Sequence, residues 1–174
     1  MADDFYKKTK FPNIVLAIDG KHCLIKAPPK TGTHHYNYKG SFSNVLLAAC
    51  DSTNKFVFVD IGAYGSQSDG GVLWESVLGK MLEERTLPLY VDTALPGSVI
   101  RLPLFLVGDE AFPLKHQILR PYGGRFLKQE KYKFNKRLSK ARSHIECSSG
   151  ILAARWRIFH KIVEESPENV DKTI

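Results

Sequence analysis

The chain has 174 residues, of which 43% are hydrophobic, so it is long enough and apolar enough to bury the core of a single domain. No stretch reaches the roughly 18 consecutive apolar residues that a membrane helix needs, and the start MADD lacks the basic and apolar regions of a signal peptide, which predicts a soluble intracellular protein. Three widely spaced cysteines without a CxxC pair favour neither a disulfide framework nor a zinc site.

The net charge of +7 is concentrated in one region of the chain. Residues 115–161 contain thirteen Lys or Arg and two Glu, whereas the rest of the chain contains twelve basic and sixteen acidic residues. Such a concentration is typical of a phosphate-binding surface. A charged run is also common on a solvated helix face, and the charge alone does not separate the two interpretations.

Four strands and a helix are predicted before the basic region. Apolar runs mark strands at residues 13–26, 42–50 and 56–61, with a turn at 51–54. After a loop of small and polar residues at 65–71, apolar spacing predicts a helix over 72–85. A fourth apolar run at 103–109 ends in Asp109, much as the first gives way to Asp19. Gly20 is expected to let the backbone leave the sheet beside Asp19.

The clearest periodicity predicts a long helix over residues 133–163. Its apolar stripe has spacings of mostly three and four and comprises Phe134, Leu138, Ala141, Ile145, Leu152, Trp156, Phe159 and Val163. Arg142 and Glu146 lie on an adjoining face, which brings the Glu146 carboxylate to the edge of the buried stripe. A salt bridge to Arg142, four residues earlier, is the alternative role for this glutamate.

The order of elements predicts an α/β fold of the ribonuclease H-like type, with a mixed sheet flanked by helices. In such a fold the first strand is central and the fourth lies beside it, so Asp19 and Asp109 project from neighbouring strands and the last helix brings Glu146 across them. Three carboxylates so close together repel one another, and divalent cations relieve that repulsion. We therefore predict that these three acids are metal ligands.

Six sequence blocks carry a specific resemblance to a known family. In chain order they are FPNIVLAIDGKHCLI, APPKTG, YNYKGSFSNVLLAACD, VDIGAYGSQSDGGV, LPLFLVGDEAFPL and FNKRLSKARSHIE. Over residues 11–159 the chain resembles the PIF/Harbinger transposase DDE domain and the nuclease-like proteins derived from these elements. The resemblance implies that Asp19, Asp109 and Glu146 are the catalytic and metal-binding acids.

The chemistry implied is cleavage and strand transfer at DNA phosphodiesters with two Mg²⁺ ions, or Mn²⁺ as a substitute. Oxygen ligands favour these ions, and the sequence has no Cys/His cluster that would suit zinc. Asp69, in the SDGG loop, is the nearest rival ligand. Capping a helix that starts at Gly70 or Gly71 is the favoured role for Asp69.

Basic residues are predicted to contact the DNA phosphates. They are Lys39, Lys131, Lys133, Lys136, Arg137 and Lys140. His34 and His35 are expected to be exposed in their loop. His22, three residues after Asp19, either approaches phosphate or faces the outer side of the sheet.

Departures from the family pattern concern stability and extent. Ser149 replaces an expected aromatic residue, which predicts weaker docking of the last helix, and Leu16 stands where glycine is usual. The predicted division is a lead-in at 1–10, the DDE domain at 11–165 and a frayed polar tail at 166–174. Flanking helices of the family are expected to be absent, so the chain resembles a fragment or shortened copy, and a separate DNA-binding protein is a candidate partner.

Two classes of function remain open at this point. The first is a metal-dependent nuclease and transposase acting on DNA in the nucleus or cytoplasm. The second is a non-catalytic, domesticated descendant that binds DNA or protein. Retention of all three acids favours the enzyme, because a retired site has no electrostatic reason to keep a repulsive cluster.

Overall fold

A mixed sheet with helices on both faces forms the fold in the computed structural model, which describes residues 1–29, 31–165 and 167–174. The described strands are β1 (Ile14–Leu24), β2 (Ser43–Cys50), β3 (Phe56–Tyr64), β4 (Thr93–Ala94), β5 (Arg101–Leu102), β6 (Phe105–Val107) and β7 (Ile118–Leu119). The described α-helices are α1 (Ala2–Thr9), α2 (Asp69–Glu75), α3 (Val77–Glu83), α4 (Gln129–Arg155) and α5 (Pro167–Thr173), and a 3₁₀ helix spans Arg157–His160.

The five-stranded sheet has the order β3-β2-β1-β6-β7. Strands β1, β2 and β3 form an antiparallel meander, whereas β6 and β7 run parallel to β1. Strands β4 and β5 pair separately as a small hairpin. The predicted ribonuclease H-like arrangement is confirmed, with β1 in the centre and the fourth predicted strand, β6, beside it.

Strand β2 shows why the sheet is buried on both sides, because all eight of its residues are buried. Successive side chains point to opposite faces of a strand. Ala48 and Cys50 accordingly pack with α1 and α4, whereas Val45, Leu47 and Ala49 pack with α2 and α3. A near-continuous apolar run is what a strand covered by helices on both faces requires.

The predicted single helix over 72–85 is two helices, α2 and α3, separated at Ser76. The Ser76 hydroxyl caps α3 by accepting a hydrogen bond from the Gly79 backbone N–H at 3.0 Å and donates to the Leu73 carbonyl at 2.6 Å. A serine that can satisfy both the end of one helix and the start of the next favours a break over a continuous helix.

The long helix predicted to reach residue 163 ends at Arg155. Its buried face is Leu138, Ala141, Ile145, Ser148 and Ala153. Trp156, predicted in the core, is 56% exposed. The chain leaves the helix at Trp156, and Val163 instead exchanges backbone hydrogen bonds with Leu24 and Lys26 beyond the end of β1. None of the helices in the described residues combines the length and apolar composition needed to cross a membrane.

The tail expected to fray forms a docked helix, α5, in its described residues. Val170 is 1% exposed and packs with Ile25 and Val163. The Asn44 side-chain amide donates to the Asp171 carboxylate at 2.7 Å, which ties α5 to β2. Two contacts distant in sequence, one apolar and one polar, therefore order a segment whose composition alone predicts disorder. Ser166, the first residue of the predicted tail, lies outside the described residues.

Candidate metal centre

The acidic site begins where the two central parallel strands lie side by side. Ala17 of β1 pairs with Val107 of β6, so Asp19 and Asp109 each stand two residues beyond the same paired position. The expectation that the backbone leaves the sheet at Gly20 is wrong, because the pairing of β1 with β2 continues to Leu24. Asp19 therefore projects from within β1, whereas Asp109 follows the end of β6.

Asp69 is the third carboxylate at this position. One carboxylate oxygen from each of Asp19, Asp69 and Asp109 lies within 4.8 Å of the other two. The favoured capping role for Asp69 is wrong, since Ser68 is the N-cap of α2 and its hydroxyl accepts from the Gly71 N–H at 3.2 Å. Asp69 is thus free of the capping role and occupies the first residue of α2.

Gly20 leaves the space that Asp69 occupies. A Cβ atom built on Gly20 would come within 2.1 Å of a carboxylate oxygen of Asp69, far inside any real contact distance. The sequence holds two signals for this arrangement, a serine already able to cap α2 and a glycine directly after Asp19. Neither signal identifies Asp69 without the fold, because residues 20 and 69 are distant in the chain.

Two of the three carboxylates, Asp19 and Asp69, have raised pKa values. Burial raises the pKa of Asp19, with a further increase from the Asp109 charge. Burial, followed by the charges of Asp109 and Asp19, raises the pKa of Asp69 to about 6. Two cations act in the opposite direction, Arg142 on the pKa of Asp19 and Lys39 on that of Asp69. Such a cluster is costly for a protein to maintain without a cation to neutralise it.

Glu146 lies on the rim of the same cleft. The cleft has a volume of about 460 Å³, and Asp19, Asp69, Asp109, Arg142, Glu146 and Ser149 are among the residues that line it. The Glu146 carboxylate is 57% exposed and pairs with Arg142 at 3.3 Å, as the spacing of four residues allows. Within the described residues, Glu146 does not belong to the group of acids that lie within 4.8 Å of one another.

Arg142 has an unusual position beside these acids. Its Nε atom is buried and has no hydrogen-bond partner. Among the buried side-chain nitrogen and oxygen atoms of the described residues, it is the only such atom. Its Nη2 atom makes the ion pair with Glu146. The guanidinium therefore holds Glu146 at the rim and places positive charge next to Asp19.

Ser149 lines the cleft and not the core, so the expectation that it weakens the docking of the last helix is wrong, because it assumed a core position. The adjacent Ser148 takes the buried position on α4, where its one hydroxyl hydrogen has two acceptors within reach, the carbonyl oxygens of Asn54 at 3.1 Å and of His144 at 2.8 Å. A hydroxyl with a hydrogen-bond partner is tolerated in a core position that apolar periodicity does not predict.

The residues predicted to bind DNA fall into two groups. Lys39 lines the cleft together with Tyr38 and His22. The other predicted residues, Lys131, Lys133, Lys136, Arg137 and Lys140, are exposed on α4. At about 1.5 Å per residue, they lie roughly 9 to 22 Å along the helix from Glu146. Of these, Lys133 and Arg137 border an apolar groove with Phe11, Phe105 and Phe134.

The histidines differ in their surroundings. His22 faces the cleft, where its Nδ1 lies 2.8 Å from the Ser43 hydroxyl, and burial followed by the Lys39 charge lowers its pKa. His34 is exposed, as expected. His35, expected to be exposed, is buried because its Nδ1 lies 2.7 Å from the Asn44 side-chain oxygen and its ring packs edge-on against Tyr64.

The donor set fits a hard divalent cation. Three carboxylate oxygens are close enough to share an ion, with Glu146 at the rim of the cleft. Mg²⁺ and Mn²⁺ prefer such oxygen ligands. No Cys or His belongs to the described acidic group, which makes it a poor zinc site.

A family model for the DDE superfamily endonuclease matches residues 18–174, which includes every acid of the site. The chain belongs to this family. The predicted resemblance to the PIF/Harbinger type of DDE domain is thereby confirmed, and with it a nuclease-type or transposase-derived origin.

Two curated relatives of this DDE endonuclease-family domain cover most of its length. Protein ALP1-like of Arabidopsis thaliana is 32% identical over 91% of the chain and 39% of its own length. The rat (Rattus norvegicus) protein named "Putative nuclease HARBI1" is 29% identical over 90% of the chain and 41% of its own length. The chain thus spans about two fifths of the length of these relatives. No solved structure matches it.

Proposed function

We propose that this DDE-family protein cleaves DNA phosphodiesters with divalent metal ions and can transfer the cut strand. The observation that carries the proposal is the convergence of Asp19, Asp69 and Asp109 in a cleft that also contains basic residues. We expect two Mg²⁺ ions, or Mn²⁺, to be held by Asp19, Asp109 and Asp69, with Glu146 joining when it leaves Arg142. Bound ions of this kind activate an attacking hydroxyl or water and stabilise the leaving oxygen.

The residues around the acids have separate tasks in this proposal. Lys39 and Arg142 line the cleft and carry the positive charge needed to hold a phosphodiester against a cluster of carboxylates. In cleavage, a P–O bond forms to water as the bond to the 3′ oxygen breaks and that oxygen takes a proton. In strand transfer, a 3′-hydroxyl replaces the water. We expect the protein to act in the nucleus, where chromosomal DNA is found.

The second candidate function is that of a non-catalytic descendant that binds DNA or protein. It is favoured by one observation, the ion pair that holds Glu146 outside the acidic group. A protein in which this pair never opens would keep the fold and the basic surface without cleaving DNA.

Supercoiled plasmid separates the two functions. The wild type, Asp109→Asn and the matched control Glu110→Gln are compared in Mg²⁺, in Mn²⁺ and in chelator, after circular dichroism shows that all three are folded. We expect metal-dependent nicking by the wild type and the control, and only background nicking by Asp109→Asn. Asp109 belongs to the acidic group, whereas Glu110 does not. Equal nicking by all three proteins would exclude the acids as its source. No nicking by any of them would favour the non-catalytic descendant.

A further inference from the structure

A second pocket, separate from the acidic cleft, combines aromatic rings with unpaired cations. It has a volume of about 490 Å³ and is lined by Trp74, Arg85, Tyr90, Lys115, His116 and Ile118, among others. The Lys115 ammonium lies 4.9 Å from the centre of the Trp74 ring, and the Arg85 guanidinium lies 5.6 Å from that of Tyr90. Two cation–aromatic pairs therefore face one cavity.

The cations of this Trp74 pocket have no carboxylate partner within the described residues. Neither Arg85 nor Lys115 forms a salt bridge with any described residue. Glu83 also lines the pocket, and it too makes no such bridge. Cations left unpaired beside aromatic rings form a surface suited to a ligand that is both planar and anionic.

Two features hold the pocket in shape. The Tyr90 hydroxyl donates to the Leu82 carbonyl, which fixes the ring against the end of α3. Arg85 has a φ of 56°, in the left-handed region where glycine is the usual residue after a helix. A large side chain is uncommon in that conformation. Here it puts the guanidinium over the Tyr90 ring.

Helix α2 contributes a residue to the Trp74 pocket and another to the acidic cleft. Asp69 is the first residue of α2 and Trp74 is the sixth, a separation of about 7.5 Å along the axis. Successive phosphates of one strand rise by about 3.4 Å in duplex DNA. At about 3.6 residues per turn, Asp69 and Trp74 point to different sides of α2, so a strand with its reacting phosphate at the acids would have to curve around the helix to bring a nucleotide two or three steps away to Trp74.

We propose that the Trp74 pocket binds a nucleotide of the DNA strand that flanks the cleavage position, with a base against its aromatic rings and phosphates on Arg85 and Lys115. The inference rests on the proposed function for the choice of ligand. It adds a binding site that the acids do not provide, and one that favours single-stranded over fully paired DNA, since only an unpaired base can stack on a side chain.

Tryptophan fluorescence tests this assignment without requiring catalysis. The chain has two tryptophans, so Trp156→Phe leaves Trp74 as the sole indole. This variant is titrated in chelator with single-stranded oligothymidylate, and with polyglutamate as an anion without bases. We expect saturable quenching by the oligothymidylate and little by polyglutamate. Absence of quenching by the DNA, or equal quenching by both, would overturn the proposal.

Substitutions at exposed positions complete the test, since they leave the core intact. Arg85→Ala and Lys115→Ala, each in the Trp156→Phe background, should weaken oligothymidylate binding by about fivefold or more. Lys55→Ala removes the same charge from the β2–β3 turn and should change the affinity by less than about twofold. Equal effects from all three substitutions would mean that the DNA is held by general charge attraction and would overturn the proposed binding site.

An Asp109→Asn arm distinguishes this inference from the proposed function. The variant should lose nicking but keep the quenching of Trp74, since Asp109 does not line the Trp74 pocket. If DNA quenches Trp74 in a protein that shows no cleavage, the strand-binding site is supported and only the proposed nuclease activity is contradicted. Nicking without quenching would do the reverse.

Discussion

At the scale of single residues, the acidic site depends on one missing methyl group. Asp69 can approach Asp19 and Asp109 only because Gly20 has no side chain. The same contact would be lost to any other residue at position 20, even though a strand generally accepts larger residues more readily than glycine.

Gly20→Ala should displace Asp69 and remove metal binding. The added Cβ would lie 2.1 Å from an Asp69 oxygen, so the carboxylate must rotate or move out of the group. We expect the increase in melting temperature on adding Mn²⁺ to be largely lost. Gly123→Ala, where nothing lies within 4 Å of the new methyl group, should keep it. A normal response to Mn²⁺ in Gly20→Ala would contradict the assignment of Asp69 as a ligand.

Asp69→Asn should stabilise the metal-free protein at neutral pH. In the wild type, the pKa of Asp69 is raised from 3.8 to about 6, so the folded state binds the proton more tightly than the unfolded chain does. The wild type therefore loses stability as pH rises through that range. Above the folded pKa, the variant should gain roughly 1–2 kcal/mol in the free energy of unfolding, after allowance for solvent screening. Below about pH 4 the difference should vanish.

Urea unfolding in chelator measures this difference across the pH range. Adding Mg²⁺ should reverse the order at neutral pH, because the ion stabilises the wild type more than the variant. A stability difference that is independent of both pH and metal would show that the charges of the neighbouring acids do not affect Asp69.

At the scale of elements, the contact between α2 and α3 positions Asp69 and Trp74. A Cβ on Gly79 would lie 1.9 Å from the Leu73 carbonyl oxygen, so glycine is what allows the second helix to start against the end of the first. The extended backbone at Ser76 thus separates the two helices and lets them take different directions.

Gly79→Ala should destabilise the protein by about 1–3 kcal/mol, because the helices must separate to admit the methyl group. Gly71→Ala is the matched control on α2, where the nearest atom, the Ser68 hydroxyl, is at an ordinary 3.4 Å. That change should be neutral or stabilising by up to about 1 kcal/mol, as is usual for alanine in a helix. Chemical denaturation of both variants measures the two effects, and equal stabilities would mean that α3 yields easily.

At the scale of the whole molecule, helix α4 connects the exposed lysines with the rim of the acidic cleft. Helix α4 carries exposed lysines in its N-terminal half and Arg142 and Glu146 farther along. A DNA molecule seated on the acids can therefore reach the lysines only by extending along the helix for several nucleotide steps.

Binding to duplex DNA should weaken steeply as salt increases, because phosphate contacts release counterions. Lys136→Ala and Lys140→Ala should each reduce the slope of log affinity against log salt by about 1. Lys55→Ala, at the β2–β3 turn, should leave the slope unchanged. Fluorescence anisotropy over a salt series gives these slopes, and a wild-type slope near zero would contradict a phosphate-binding role for α4.

Much of the site follows from the sequence by itself. The apolar runs determine the meander and β6, and the residues after those runs identify Asp19 and Asp109, because local patterns of burial and charge are written along the chain. The basic region and the Arg142–Glu146 spacing are equally local.

Only the tertiary structure decides the rest, because it depends on contacts between residues far apart in the chain. The approach of Asp69 to Asp19 across Gly20, the end of α4 at Arg155 and the docking of α5 through Val170 and Asp171 all join distant segments. Propensity and periodicity carry no information about such partners, and their energies override both.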